Sequence, residues 1–470
     1  MGTNWQPELA DENAPKYKAL MQAIRTGIGD QSLAPGDKLP PVRDLAWRLG
    51  ITPGTVARAY SGLTDDGTLV AEVGRGTFVA RPKPVADDHP FAIEEDSVEH
   101  NSGGDGFAVN MISPHLPSVG QARLIRQLMA DIAQDPPSGV MHYPSRRNMQ
   151  PARVAATRFL SCVPLGRFTE DDIVLTHGGQ NAIVLIMQTI LCGRRPTILV
   201  EELCYPGVRR AADLMRAEVI PVAMDGHGLR PDALEAAARK HQAQMLFTSA
   251  EVHNPTCIFT PADRRAELVE VARRCDLQIL EDDCYRIGPS QAETYRMMAP
   301  ERGWYVASLS KSLTPALRVG FALAPEGQTM ALRRAAESSF FGLATPIADL
   351  VAVLLTHEAT GGLMDAVREK SGEYVQCALN VLGTHDVKWR RDVPFLWLTL
   401  PPGWRTSAFC QAAAEQGVQV RSAEDFASRD GLSPHAVRMA VNAGVSLDSF
   451  EAAMLRLRRL LDNPPEGIGV

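Results

Sequence analysis

Six short apolar runs dominate the middle of the chain: Ile173-Val174-Leu175-Thr176, Thr197-Ile198-Leu199-Val200, Val219-Ile220-Pro221-Val222, Met245-Leu246-Phe247-Thr248, Gln278-Ile279-Leu280 and Trp304-Tyr305-Val306-Ala307-Ser308. Runs this short and this continuously apolar read as strands buried on both faces. Helical stretches, such as Gln180 to Leu191, lie between several of them. Strands alternating with helices predict an α/β fold, a mainly parallel sheet covered on both faces. Ligands in such sheets sit beyond the carboxyl ends of the strands. The residues just past each run therefore carry the information about function.

After the first run, His177-Gly178-Gly179-Gln180 opens a helix. Glycines let a ligand approach the backbone, and N–H groups at a helix start favour phosphate. Past the second run, Tyr205 of Cys204-Tyr205-Pro206-Gly207 could stack on a flat ring, or be a surface tyrosine in a turn. Asn254 of His253-Asn254-Pro255-Thr256 could bond a phenolic oxygen, or merely start a turn. In Glu281-Asp282-Asp283-Cys284-Tyr285 an acid near the middle of the sheet is costly unless paired. A pyridinium nitrogen is one such partner; an exposed acidic loop is the plain alternative. The last run leads into Ser308-Leu309-Ser310-Lys311-Ser312-Leu313-Thr314-Pro315-Ala316-Leu317-Arg318-Val319-Gly320. Hydroxyls and a guanidinium bind phosphate, and a lysine beside them can form a Schiff base with an aldehyde. A phosphate and an aldehyde on one ring describe pyridoxal 5′-phosphate (PLP); a polar loop with a solvated lysine is the alternative.

The first eighty residues follow a different pattern. Helical spacing marks Pro15 to Asp30, about Pro41 to Leu49, and a third helix with Thr52 as its cap and Pro53 at its first position. Gly50 makes the tight turn between the last two, giving a helix-turn-helix. Leu69–Val73 and Thr77–Val79 flank Gly74-Arg75-Gly76 as a β-hairpin, a wing. Arg43, Thr52, Thr55, Arg58 and Arg75 are the candidate DNA contacts. Residues 35–80 hold five basic and five acidic side chains, so each copy contributes little phosphate attraction and a dimer is expected.

Residues 85–106 hold seven acidic residues and no lysine or arginine, and Asn101-Ser102-Gly103-Gly104 adds flexibility; this reads as a tether. A chain of 470 residues exceeds one typical domain. We therefore expect domains at 12–80 (winged helix-turn-helix), 81–106 (acidic linker) and 107–470 (effector domain). A net charge of −7 argues against wholesale coating of nucleic acid. No signal peptide, membrane span or metal-ligand spacing is evident, and the eight cysteines form no CxxC pair, so a reduced cytoplasmic protein is expected.

The first segment resembles the GntR superfamily of bacterial transcription factors, through Leu39-Pro40-Pro41-Val42-Arg43-Asp44-Leu45-Ala46, Gly50-Ile51-Thr52, Thr55-Val56-Ala57-Arg58-Ala59-Tyr60 and Gly74-Arg75-Gly76-Thr77-Phe78-Val79. Most of residues 107–470 resembles the fold type I aminotransferases, PLP enzymes with a mainly parallel sheet and a smaller α+β domain. That resemblance implies that Lys311 carries the internal aldimine and Asp282 pairs with the ring nitrogen. It also implies that Asn254 and Tyr285 hold the ring oxygen, that Tyr205 stacks on the ring, and that Gly179, Gln180, Ser308, Ser310 and Arg318 hold the phosphate. Arg438, in Val437-Arg438-Met439-Ala440, would clamp an α-carboxylate, and Tyr143 would reach the phosphate across a dimer interface. The chain departs from the pattern at Asn148, Cys257 and Asp392-Val393-Pro394, where the aminotransferases have glycine. Cys204, Cys257 and Cys284 would lie near the cofactor, which raises the idea of redox sensing.

The two parts together resemble the MocR family. This implies a head-to-tail, domain-swapped homodimer that binds an operator in double-stranded DNA. It would sense an amino-group metabolite (amino acid, amine, taurine or a vitamin B6 form) through an external aldimine, the small domain (about 107–140 and 365–470) moving in response. An active aminotransferase fused to a DNA-binding head is the alternative.

Overall fold

The computed structural model describes residues 15–30, 32–65, 68–72, 76–80, 109–138, 141–428 and 433–465, together with Trp5 and Pro7. The wing tip at Arg75 and the expected linker lie outside the described residues. The chain divides into two compact units, Met1–Asp87 and Asp88–Val470.

In the first unit, α1 (Lys16–Gly29), α2 (Val42–Leu49) and α3 (Pro53–Asp65) precede the antiparallel pair β1 (Leu69–Glu72) and β2 (Gly76–Val79). One apolar stripe of each helix, including Leu20, Ile24, Leu45, Val56, Ala59 and Leu63, closes a common core with Leu69 and Val79. Gly50 ends α2 at φ +63°, a left-handed conformation in which glycine alone is unstrained. The Thr55 N–H donates to Thr52 Oγ1 at 3.3 Å, capping α3. The buried Tyr60 hydroxyl donates to the Pro40 carbonyl at 2.9 Å and ties α3 to the start of α2.

Among the described residues the second unit begins with β3 (Val109–Asn110), and it is built around seven strands: β4 (Ile173–Thr176), β5 (Thr197–Glu201), β6 (Glu218–Val222), β9 (Met245–Thr248), β10 (Gln278–Asp282), β11 (Gly303–Ser308) and β12 (Gly320–Leu323). A small hairpin, β7 (Met224–Asp225) and β8 (Gly228–Leu229), interrupts the series. The strand order is β4-β12-β11-β10-β9-β5-β6. Pairing is parallel from β11 across to β6, while β12 runs antiparallel to both of its neighbours. All six predicted runs are strands. β12 was not foreseen, because Gly320-Phe321-Ala322-Leu323 follows the lysine-bearing stretch without a break in pattern. The Val219 run is also not fully buried. β6 is the sheet edge, with Glu218, Val219 and Ile220 half-buried and Pro221 exposed, where a missing N–H does no harm.

A second sheet, β13 (Val387–Lys388), β14 (Phe395–Thr399), β16 (Arg421–Ser422) and β17 (Ala436–Ala440), has the order β13-β14-β17-β16. Beside it β15 (Val418–Gln419) pairs with β3 in parallel. The later half of the helix Glu358–Leu382 and the helix Leu447–Asp462 cover this sheet with Tyr374, Ala378, Phe450 and Leu457. The small domain expected from about 107–140 needs correction. The helix Gln121–Gln134 packs Leu128, with Leu124, Ile125 and Ile132 along the same stripe, against the core beneath β4, β11 and β12. Among the described residues no single helix is long and apolar enough to cross a membrane.

Candidate functional site

Lys311 sits in the loop that reverses the chain between β11 and β12, whose closing pair is Ser308 opposite Gly320. The Leu309 N–H donates to Val319 O at 3.2 Å, and the Leu313 and Thr314 N–H groups both donate to Leu309 O at 3.0 Å. These bonds fold the loop on itself. Arg318 adopts φ +51°, a left-handed conformation that costs a non-glycine residue about 1–2 kcal/mol. The strain goes with a contact. A Cβ on Gly178 (φ +79°) would stand 2.8 Å from Arg318 Nη2, so the guanidinium rests on the glycine that opens the helix Gly178–Ile190. Gly320 permits this approach, since a Cβ there would lie 2.7 Å from the Gly178 carbonyl carbon. A helix start with its N–H groups beside a guanidinium is an anion cradle.

Around the cradle stand polar groups in want of partners. Ser310 and Ser312 are buried, and Ser312 Oγ has no hydrogen-bond partner. Gln180 Nε2 donates to Gly207 O at 2.9 Å, while its buried Oε1 is unpartnered. The Tyr205 ring folds back so closely that a Cβ on Gly207 would stand 2.2 Å from it. Burial raises the Tyr205 phenol well above its ordinary range.

Asp282 closes β10 and is 7% exposed. It accepts the Cys284 N–H at 3.1 Å. Burial pushes its carboxyl up to about 6, against the opposing pull of the Cys284 hydrogen bonds. A buried acid held this way calls for a cation. Tyr285 stands edge-on to Phe395, with ring centroids 5.2 Å apart, and Lys311 Nζ lies 5.6 Å from its ring centre. Burial pushes the Tyr285 phenol up, but Arg438 and Lys311 outweigh it and hold the phenol below its ordinary range.

Asn254, in the turn that follows β9, reaches the same place. Its Oδ1 accepts from Arg438 Nη1 at 2.8 Å, and its Nδ2 is buried with no partner. The turn that carries it is pinned by His253, whose Nδ1 lies 2.6 Å from Thr256 Oγ1 and whose Nε2 donates to Leu203 O at 2.8 Å. Cys257 closes the turn at φ +62°, which explains why glycine suits this position. Asn148, the other single-residue departure, is not in the left-handed region.

Arg438 lies on β17 and is 1% exposed. Nη1 donates to Asn254 Oδ1 and, at 3.5 Å, to the Tyr285 hydroxyl; Nη2 donates to the Ile112 carbonyl; Nε has no partner. The Phe395 and Phe426 rings flank the guanidinium at 5.3 and 5.1 Å. No carboxylate among the described residues pairs with it, so among those residues its buried positive charge has no counter-ion.

The structure thus gathers Gly179, Gln180, Tyr205, Asn254, Asp282, Tyr285, Ser308, Ser310, Lys311, Arg318 and Arg438 around the carboxyl ends of the strands. Tyr143 is not among them: it is 86% exposed and touches Phe341, with ring centroids 6.4 Å apart. Burial pushes the Cys204 and Cys257 thiols up to about 12 and Cys284 well above its ordinary value, which disfavours the reactive thiolate and speaks against the redox idea. Sequence reasoning gave no role to His253 or Ile112, and considered Cys284 only for redox sensing. His253 pins the Asn254 turn. Cys284 packs so tightly that a Cβ on Gly179 would stand 2.4 Å from its sulfur. Ile112 acts through its carbonyl, which leaves no mark in a sequence.

The donor set fits PLP. The cradle suits a phosphate, Asp282 a pyridinium nitrogen, the orphan Asn254 Nδ2 a phenolic oxygen and the Lys311 amine an aldehyde. In the first unit Arg43 and Thr52 are exposed and Thr55 is half-buried. The Arg58 guanidinium lies 4.2 Å from the Tyr17 ring centre, so part of its face is already engaged.

Comparison with known proteins agrees with this geometry. Residues 122–457 match the aminotransferase class I and II family, and residues 16–79 match the gntR family of bacterial regulatory proteins. The HTH-type transcriptional regulator YdeF of Bacillus subtilis is 27% identical over 463 residues, covering 98% of this chain and 97% of that protein. The HTH-type pyridoxine biosynthesis transcriptional regulator PdxR of Corynebacterium glutamicum is 27% identical over 318 residues, 67% of each chain. Among solved structures, the alpha-aminoadipate aminotransferase LysN of Thermus thermophilus, complexed with N-(5′-phosphopyridoxyl)-L-leucine, aligns with a TM-score of 0.66 at 23% identity. The alignment covers 76% of this chain and 92% of that one.

Proposed function

This chain belongs to the aminotransferase class I and II family and, with its GntR head, to the MocR transcriptional regulators, and on that premise we propose that it is a PLP-dependent sensor of an amino-group metabolite. PLP, when bound, supplies an aldehyde for which Lys311 and an incoming amine compete. The chain's own residues do the rest. Gly179, Gln180, Ser308, Ser310 and Arg318 hold the phosphate; Asp282 keeps the ring nitrogen protonated; Asn254 and Tyr285 hold the phenolic oxygen; Tyr205 covers the ring. Arg438 takes the acid group of the effector, an amino acid, an acidic amine such as taurine, or a related compound. The observation that carries this reading is the buried Arg438, without a counter-ion among the described residues, beside the orphaned Asn254 Nδ2. In LysN the ligand is a phosphopyridoxyl group joined to an amino acid, the combination this cavity's donors suit.

The regulator acts as a cytoplasmic head-to-tail homodimer on an operator in double-stranded DNA, through Arg43, Thr52, Thr55, Arg58 and Arg75. Tyr143, 86% exposed, and Phe341, 75% exposed, whose ring centroids lie 6.4 Å apart, form an apolar patch suited to a second copy. From the partner, Tyr143 would reach the phosphate. The domains of this reading are 12–80, 81–106 and 107–470. Purified protein with PLP should show a visible absorbance band that Lys311→Ala abolishes, and amino acids or taurine should shift that band. A colourless wild-type protein under saturating PLP would overturn the reading, and steady turnover with a keto acid would make the chain an aminotransferase instead.

A further inference from the structure

Arg438 is tied to an unexpected partner. Its Nη2 donates to the carbonyl of Ile112, in the stretch that leads from the expected linker into the second unit. Either two-pronged edge of a guanidinium that can grip a carboxylate, Nε with Nη2 or Nη1 with Nη2, includes Nη2. Nη1 is committed to Asn254 Oδ1 at 2.8 Å, and Nε is unpartnered. An acid that docks without breaking the Asn254 bond therefore takes the Nε edge, whose Nη2 already gives one of its two N–H groups to the Ile112 carbonyl.

Access points the same way. Arg438 is 1% exposed, and no acid reaches it unless some part of its cover yields. Phe395 and Phe426, which flank it, are themselves fully buried on the sheet side. Ile112 is 37% exposed and belongs to a thin segment. That segment is held on either side of Ile112 by backbone bonds: Met111 N–H to Gln419 O at 2.8 Å, Ala440 N–H to Met111 O at 2.8 Å, and His115 N–H to Val441 O at 3.0 Å. Asn442 Nδ2 adds a bond to Asn110 O at 2.8 Å. Between these ties the Ile112 carbonyl is the point at which the segment grips the cavity.

We propose that the Ile112 carbonyl occupies, in the effector-free protein, the place on Arg438 that the effector's acid group takes, so that binding frees residues 109–115, the first described part of the second unit after the DNA-binding head. The proposal rests on the reading of Arg438 as the acid-binding residue. It makes Ile112 a positioning group and gives the signal a starting point in the chain: exchange of one acceptor for another at Nη2, transmitted to the residues that follow the linker. Because the segment yields only to a ligand with an acid group, an amine without one fills the cofactor side of the cavity and leaves the segment in place.

Hydrogen exchange on the full-length protein tests this. The protein is loaded with pyridoxamine 5′-phosphate, which has no carboxylate, or with N-(5′-phosphopyridoxyl)-L-alanine, which carries one. The alanine compound should speed amide exchange in 109–115 by about tenfold relative to pyridoxamine phosphate, as expected for loss of a local tie. In Arg438→Gln the two ligands should give the same fast exchange. Should that variant not fold, Arg438→Lys, which keeps the charge but loses the fork, serves the same comparison. If both compounds load and the segment exchanges equally with each, the coupling is wrong while the cofactor site stands. Loading of pyridoxamine phosphate but not of the alanine compound also overturns it. If neither compound loads, the cofactor reading fails and takes this inference with it.

Discussion

Gly178 holds its conformation beside Arg318 only because it has no side chain there. Gly178→Ala adds backbone strain of about 1–2 kcal/mol and pushes the guanidinium off the helix start. PLP affinity, measured by absorbance titration, should fall at least about tenfold, since a lost charge-assisted hydrogen bond is worth about 1.5–3 kcal/mol. Asp282 makes a second prediction. Its folded value, about 6, lies above the ordinary 3.8, so burial favours the protonated form. The stability that goes with the protonated acid is complete below pH 3.8 and is lost as pH rises through about 6. By linkage the PLP-free protein loses about 2–3 kcal/mol across this window from this group. Asp282→Asn should remove that share, so urea unfolding at pH 7 should find the variant more stable than wild type without PLP. With PLP the advantage should disappear, because the ring cation then offsets the buried charge. An equal pH dependence in the two proteins would refute the assignment.

At the scale of elements, Gly50 joins α2 to α3 at φ +63° with open space around its α-carbon. Gly50→Ala therefore meets strain and no collision, and should cost the head about 1 kcal/mol, or about 4–8 °C in the midpoint of a domain this size. Calorimetry of the full chain, with its two compact units, should move the head's transition and leave the larger one alone. The helix-turn-helix was legible because it is local: Gly50, Thr52, Pro53 and the apolar stripes of α2 and α3 lie close together in sequence. The six strands were legible for the same reason. β12 was not, because a strand of four residues after a polar loop gains its identity from pairing with β11 and β4, partners the sequence does not announce. The helix Gln121–Gln134 fell within the stretch assigned to the small domain on similar grounds. Its amphipathic stripe tells that it packs, and not on what.

For the whole molecule, the charge balance bears on DNA binding. The chain carries −7, and residues 35–80 offer as many acids as bases. Two heads that each place Arg43, Arg58 and Arg75 on phosphates would give a slope of log affinity against log salt of about −5. Fluorescence anisotropy with the operator across a salt series measures it. A slope near half that value would mean one head binds alone, and a much steeper one would reveal basic surface not counted among these residues. The groups that gather near Lys311, from Gly178 to Arg318, were readable at this scale because they follow strand ends in chain order. Arg438 was readable only as one residue. Its setting is assembled from Asn254, Tyr285 and the backbone of Ile112, which stand 184, 153 and 326 positions away.

The distribution of thiols has a practical side. Cys204 and Cys257 are sealed in the interior and Cys284 is wedged against Gly179, while Cys162 and Cys192 face solvent. A maleimide dye added to the native protein should therefore attach at the periphery and spare the residues gathered near Lys311. The molecule arrives with its own handles for fluorescence, and ligand-driven motion can be followed by optical reporters without engineering a single new cysteine.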